Sequence, residues 1–238
     1  MGYELYSLTV TELFFNVFWF QAYVVFFREM GVKWVTKYLA GVIIHILDLA
    51  SSQKSNYTHI DAVYARKCVS FILNSVLSAM LPEISQIQAV KELCKIINKQ
   101  MNIIHETVTS NKSIDLAMNS DVTSTQHVLV CALQELGNLV MSLTSSLKAC
   151  FDDTIIEAIF STLVHPSLAV KLSAAWCLRY CAIALPSNIT SLIDSCFKKI
   201  NKLKGSPEAV TGYGYTLAAI IGGLHHCPLG IPSGKARV

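Results

Sequence analysis

The stretch from His165 to Pro186, HPSLAVKLSAAWCLRYCAIALP, limits the fold more than any other part of the chain. A His-Pro turn breaks the backbone, and Ser167 is placed to cap a helix. About five turns of helix follow before Leu185-Pro186 ends them. The interior is apolar nearly all round, with Lys171, Ser173 and Arg179 as its clearly polar positions. Such a helix needs neighbours on more than one side. Ala169, Ala174, Ala175, Ala182 and Ala184 let those neighbours come close, while Trp176 and Leu178 fill volume. The stretch therefore reads as an inner helix of an α-solenoid. Leu172, Cys177, Ile183 and, in an earlier helix, Leu73 join Trp176 and Leu178 as expected core. With Trp176 in the core, Trp176→Ala carries an expected cost of about 3–5 kcal/mol.

Composition agrees with extensive burial. The 238 residues are 53% hydrophobic and 15% charged, with a mean hydropathy of +0.46. Three explanations compete: a membrane protein, an unusually buried helical core, or a piece of a larger solenoid. The third is favoured, because inner repeats are apolar on both stacking faces. A formal charge of +3 is small and scattered, and no basic run is interleaved with aromatics, so nucleic acid is not an expected partner. The eight cysteines lie mostly inside apolar helical segments, where they act as small hydrophobes, and reduced thiols in the cytosol are the simpler reading.

Along the chain, residues 8–27, LTVTELFFNVFWFQAYVVFF, have nearly the length of a membrane span. Glu12, Asn16 and Gln21 interrupt the run, and Glu4 stands where a signal peptide needs a basic residue. A buried or partly exposed helix is the preferred reading, and a small membrane-anchored protein held by residues 8–27 is the alternative. From Val32 one helix follows another: Val32 to Leu49, Ile60 to Met80, Ile84 to about Thr107, and Gln126 to Leu143. Val108 to Ser120 is the clearest polar loop. A short helix from Asp152 or Asp153 to Val164 precedes the central one. Ser187 or Asn188 then caps Ile189 to Leu203, and Ser206-Pro207 opens a helix running to about His225. No convincing strand is found. The expected architecture is an all-α solenoid of stacked antiparallel helix pairs, about eight or nine helices. Residues 1–20 form a divergent apolar segment, 21–226 the helical repeats, and 227–238 an extended tail.

One internal parallel favours a solenoid over a bundle. Ala65-Arg66-Lys67-Cys68 to Leu73, ending at Leu81-Pro82, matches Val170-Lys171 to Leu178, ending at Leu185-Pro186. The separation fits two or three helical units of roughly 40 to 47 residues.

Signs of chemistry are weak. Gly212-Tyr213-Gly214 lacks the third glycine and the leading strand of a dinucleotide loop, so a turn or a close helix contact explains it better. Gly230 to Lys235 is one residue short of a phosphate loop. His225, His226 and Cys227, with Cys177 and Cys181 a helical turn apart, match no standard zinc spacing. A zinc-dependent domain is the weakest alternative. Ser195 lacks the exposed elbow of a hydrolase nucleophile, and Asp152 and Asp153 serve a helix start. No enzyme, cofactor or metal is expected. The basic end formed by Lys198, Lys199, Lys202 and Lys204 is a candidate binding face for acidic protein segments or anionic head groups, with helix-dipole complementarity as its plainer role.

The runs AVYARKCVSFIL (62–73), QHVLVCALQELGNLV (126–140), HPSLAVKLSAAWCLR (165–179), SPEAVTGYGYTLAAIIGG (206–223) and CPLGIPSGKARV (227–238) closely resemble the HEAT repeat-containing protein 5 family. The resemblance covers roughly Gln21 to the end, in an N-terminal portion of that solenoid, and residues 1–20 depart from it. It implies a HEAT/armadillo-type fold and a non-enzymatic accessory of clathrin adaptor complex 1. The implied partners are that complex with aftiphilin and gamma-synergin. The implied setting is cytoplasmic, peripheral to Golgi, endosomal and endocytic vesicle membranes, in traffic between endosomes and the trans-Golgi network that includes retrograde transport and protein localisation. No binding residue of the family transfers to a position here.

Overall fold

A computed structural model describes residues 21–51, 59–109, 116–143, 146 and 153–226. The expected divergent segment 1–20 and tail 227–238 lie outside the described residues, as do Asp152, Cys227 and the Gly230 to Lys235 motif. The described residues form helices and the turns between them, without a strand. In chain order the helices are α1 (21–37), α2 (Leu39–Ser51), α3 (His59–Leu73), α4 (Glu83–Thr109), α5 (Leu116–Ser142), α6 (Asp153–Thr162), α7 (Leu168–Ala184), α8 (Ile189–Lys202) and α9 (Pro207–Gly223).

The helix expected from Val32 to Leu49 is divided between α1 and α2. The division at Tyr38 is slight: its N–H reaches the Trp34 carbonyl at 3.1 Å, and its own carbonyl accepts from Val42 at 3.0 Å. Gly31 marks a sharper event. Its φ of 79° is left-handed backbone that an L side chain resists. The helix expected from Ile60 to Met80 ends its α-helical part at Leu73 and continues as one π turn, Asn74–Ser78. The Ala79 N–H closes that turn on the Asn74 carbonyl at 3.1 Å. Gln86 then donates from Nε2 to the carbonyls of Ser78 (2.9 Å) and Leu81 (3.0 Å), satisfying acceptors that the reversal leaves open.

The polar loop expected over 108–120 is narrower than its composition implies. α4 runs on to Thr109, and α5 starts at Leu116, ten residues before the expected Gln126. At the other boundaries, Ser206 caps α9 as its sequence indicates, with its Oγ accepting the Ala209 N–H at 3.3 Å and Pro207 at the first helical position. Ser167 takes the extended backbone of a cap but makes no capping bond with its side chain. Its N–H instead donates to His165 Nδ1 at 3.0 Å. His165 is therefore the residue that shapes the entry to α7.

The helices form a two-layered, solenoid-like stack. α3, α5, α7 and α9 lie side by side in one layer, and α2, α4 and α6 in the other. α8 packs on α9, and its Lys199 reaches Glu157 of α6, which places it next along the second layer. The antiparallel pairs α2/α3, α4/α5, α6/α7 and α8/α9 join the layers. One continuous core fills the space between them. Leu93 and Ile97 of α4, Leu129, Leu133 and Leu136 of α5, Phe160 of α6 and Leu178 of α7 are fully buried in it.

No single described helix is long and apolar enough to cross a membrane, although α7 and the following Pro186–Lys202 segment pass that test together as a pair bent by 114°. Most of the 8–27 run lies outside the described residues. Its last part, in α1, buries Val24 and Phe27 while leaving Val25 and Phe26 exposed.

Candidate functional site: an exposed face of α7

α7 lies between α5 and α9, so its sides are covered and its inner edge meets the core. Val170, Ala174, Ala175, Cys177, Leu178, Cys181 and Ala182 are buried there. The remaining side faces out of the layer. Leu168 is 51% exposed, Leu172 40% and Trp176 49%, one helical turn after another. Of the expected core residues, Leu73, Cys177 and Leu178 lie inside and Ile183 is half-buried. Trp176 and Leu172 do not belong to the core. The physical reason is the position of α7 in the middle of a layer, which leaves one side without a neighbour, and these two residues are on that side.

At the end of this row the polar atoms of the face gather. The Arg179 guanidinium carbon lies 4.7 Å from the centre of the Trp176 ring, a cation–π contact. Trp176 and Tyr180 have ring centres 6.2 Å apart. Two small residues on the flanking helices let these side chains lie flat. A Cβ added to Gly137 of α5 would stand 2.7 Å from the Tyr180 ring, and one on Gly223 of α9 would stand 3.1 Å from Arg179 Cγ. The result is a platform of Trp, Arg and Tyr spanning three helices, the side-chain types that anchor protein–protein contacts.

Because Trp176 is half exposed, Trp176→Ala is expected to lower stability by about 1 kcal/mol rather than the 3–5 kcal/mol of an emptied core site. Urea unfolding followed by circular dichroism measures this, and a loss above about 3 kcal/mol would put the ring back inside.

The basic end of α8 is only partly free. Lys199 Nζ lies 3.4 Å from Glu157 Oε2 and 5.9 Å from the centre of the Phe160 ring. Lys198, Lys202 and Lys204 are exposed. Lys199 and Lys202 occupy the last turn of α8, where positive charge complements the carbonyl end of the helix.

The remaining candidates for chemistry are dispersed. Cys177 and Cys181 are buried on the inner side of α7, whereas His225 and His226 are exposed at the end of the chain's described part. Among the described residues no three His, Cys, Asp or Glu side chains are grouped to hold a metal ion. Burial pushes the thiols of Cys94, Cys131 and Cys196 up to about 12, so they are protonated at neutral pH and pack as apolar groups. Ser195 lies within α8. Gly212-Tyr213-Gly214 lies inside α9 rather than in a phosphate turn, and Gly212 lies directly against the backbone of Leu163.

Two buried titratable groups escape the sequence reading. Glu135 of α5 is fully buried, and Ser78 Oγ of the π turn donates to it at 3.1 Å and Asn138 Nδ2 at 3.2 Å. Burial raises its carboxyl to about 7, against the lowering by these two hydrogen bonds. His165 is buried in the turn before α7 and is pushed down to about 4, first by burial and then by the charge of Lys171. Its Nδ1 accepts from Ser167, so the ring proton sits on Nε2, which has no hydrogen-bond partner among the described residues. Both are single polar residues among apolar ones, and nothing in their local spacing distinguishes them from exposed positions. Both act on stability; neither lies on the exposed α7 face.

Trp176, with the half-buried Arg179 and Tyr180 beside it, lies on the outer side of the layer. Compared with known protein families and with solved structures, the chain matches none.

Proposed function

We propose that the chain is a non-enzymatic HEAT-type scaffold that binds other proteins in adaptor-dependent clathrin traffic between endosomes and the trans-Golgi network. The observation that supports the binding role is the Trp176–Arg179–Tyr180 platform, with Trp176 exposed and the other two half-buried, in the middle of a stacked helical layer. A stack of helix pairs offers a long continuous surface, and residues on it can vary without disturbing the core. The link to clathrin adaptor complex 1, aftiphilin and gamma-synergin rests on the five sequence runs that resemble the HEAT repeat-containing protein 5 family. Membrane association in this reading is peripheral and comes through those partners, in the cytoplasm.

The test is a pull-down of purified adaptor complex 1, aftiphilin and gamma-synergin on the immobilised chain. Retention of at least one of them is expected. If none is retained by this chain or by a longer chain containing it, the traffic role fails.

A further inference from the structure

Among the described residues, the outer side of α7 and its two flanking helices carries a single positive charge and no exposed negative one. Leu168, Leu172 and Trp176 supply the apolar part, and Arg179 the charge. On α5 the exposed residues from Gln134 to Ser142, which are Gln134, Asn138, Met141 and Ser142, are all uncharged, and the carboxylate of Glu135 is fully buried. On α9 the exposed residues from Val210 to Gly222 carry no charge. Glu208 begins α9, whereas Gly222 and Gly223 meet Arg179, which separates that carboxylate from the guanidinium by about 20 Å along the helix.

Arg179 is held in place, and among the described residues no carboxylate pairs with it. Its guanidinium stacks on Trp176 and its stem lies on Gly223. Among the described residues its Nε is buried without a hydrogen-bond partner, and the two ion pairs, Lys95–Glu92 and Lys199–Glu157, do not involve it. The buried Nε is closed to solvent, so a carboxylate arriving from outside would meet the charge of the guanidinium rather than that atom, and a planar guanidinium held by a cation–π contact is suited to carboxylate recognition.

We propose that this face docks a short acidic–apolar segment of a partner protein, with a carboxylate on Arg179 and apolar side chains along Trp176, Leu172 and Leu168. The assignment rests on the scaffold reading above and specifies the partner's chemistry at one site. α7 is about 25 Å long, enough for an amphipathic segment of three or four turns with apolar residues at helical spacing. Specificity resides in the charge: an uncharged or basic segment would leave Arg179 unpaired.

The test pans a displayed library of random dodecapeptides against the immobilised full chain, with the enriched peptides then measured as fluorescent synthetic peptides by anisotropy. Enriched sequences are expected to carry Asp or Glu together with Leu, Phe or Trp. Arg179→Gln and Trp176→Ala are each expected to weaken them at least tenfold, Leu172→Glu likewise through like-charge repulsion, and Lys95→Gln on α4 to leave them unchanged. Helical content by circular dichroism confirms that each variant is folded, and Leu172→Glu, at an exposed position, provides a second route should Trp176→Ala fail to fold. No enrichment, enrichment without acidic residues, or binding that survives all three face variants would overturn the proposal. So would dimerisation in sedimentation that Leu172→Glu abolishes, since the face would then belong to a second copy. If adaptor components are still retained by a chain carrying Leu172→Glu while no acidic peptide is enriched, the scaffold role stands and the α7 assignment fails.

Discussion

Gly212→Ala is expected to destabilise the protein by about 3 kcal/mol, while Gly214→Ala two residues further on is expected to stabilise it by about 0.5–1 kcal/mol. A Cβ at position 212 would stand 2.0 Å from the Leu163 carbonyl oxygen, 2.9 Å from its carbonyl carbon and 3.2 Å from its Cα. These are backbone atoms in the turn between α6 and α7, so no rotamer change relieves the overlap. α9 has to move away from the layer, or the turn has to give. At Gly214 an added Cβ meets nothing within 4 Å. There the substitution only narrows the unfolded chain and favours helix. For a chain of this size the first change corresponds to a lowering of the melting temperature by roughly 10 °C. Thermal and urea unfolding of the two variants measure the contrast. Equal stability of the two would mean that α9 does not approach the α6–α7 turn this closely.

Changing pH should expose a second large effect, one that the wild-type protein partly conceals. Unfolded, Glu135 titrates near its ordinary value of 4.5; folded, burial raises it to about 7. Between those values the folded state holds a proton that the unfolded state has released, so stability falls as pH rises, by about 1.4 kcal/mol per unit. His165 acts the other way. It titrates near 6.5 when unfolded and near 4 when folded. Between about 4 and 6.5 the unfolded state holds the extra proton, and stability rises with pH by a similar amount. From about pH 4.5 to 6.5 the two contributions oppose each other. Glu135→Gln is expected to match the wild type near pH 4.5 and to exceed it by about 3 kcal/mol at pH 7.5, less the value of any hydrogen bond lost. Ser78 can still donate to the amide oxygen. His165→Asn, whose side-chain oxygen can accept the Ser167 N–H, is expected to gain on the wild type by about 3 kcal/mol between pH 7 and 4. Equilibrium unfolding at several pH values gives both differences. A difference that does not change with pH would mean that the group is ionised in the folded protein.

Element type was legible where local and long-range demands coincide. The apolar periodicity of Ile87, Val90, Leu93, Cys94, Ile97, Met101 and Ile104 is the α4 stripe, and Val90, Leu93, Ile97 and Met101 lie in the core. Ser206-Pro207 starts α9 as its chemistry requires. The start of α5 was hidden for the opposite reason. Asn, Ser and Thr residues cluster between 119 and 125, and such residue types favour turns over helix by propensity; the helix nevertheless covers them, and Thr125 is buried. Ser167 takes the cap position but makes no side-chain capping bond, and its N–H donates to the His165 ring two residues earlier, a contact that the capping pattern does not announce.

By itself, the amino-acid sequence determined that this chain is a succession of helices covered by one another, because its apolar residues recur at helical spacing and its breaks fall at Pro, Ser and Asn. It also determined which residue types α7 carries. Only the tertiary structure decided which of them face the solvent. α7 is apolar on nearly every side, so its periodicity contains no direction, and Trp176 and Leu172 are exposed, with Arg179 half-buried beside them, because α5, α9 and the core take the other sides.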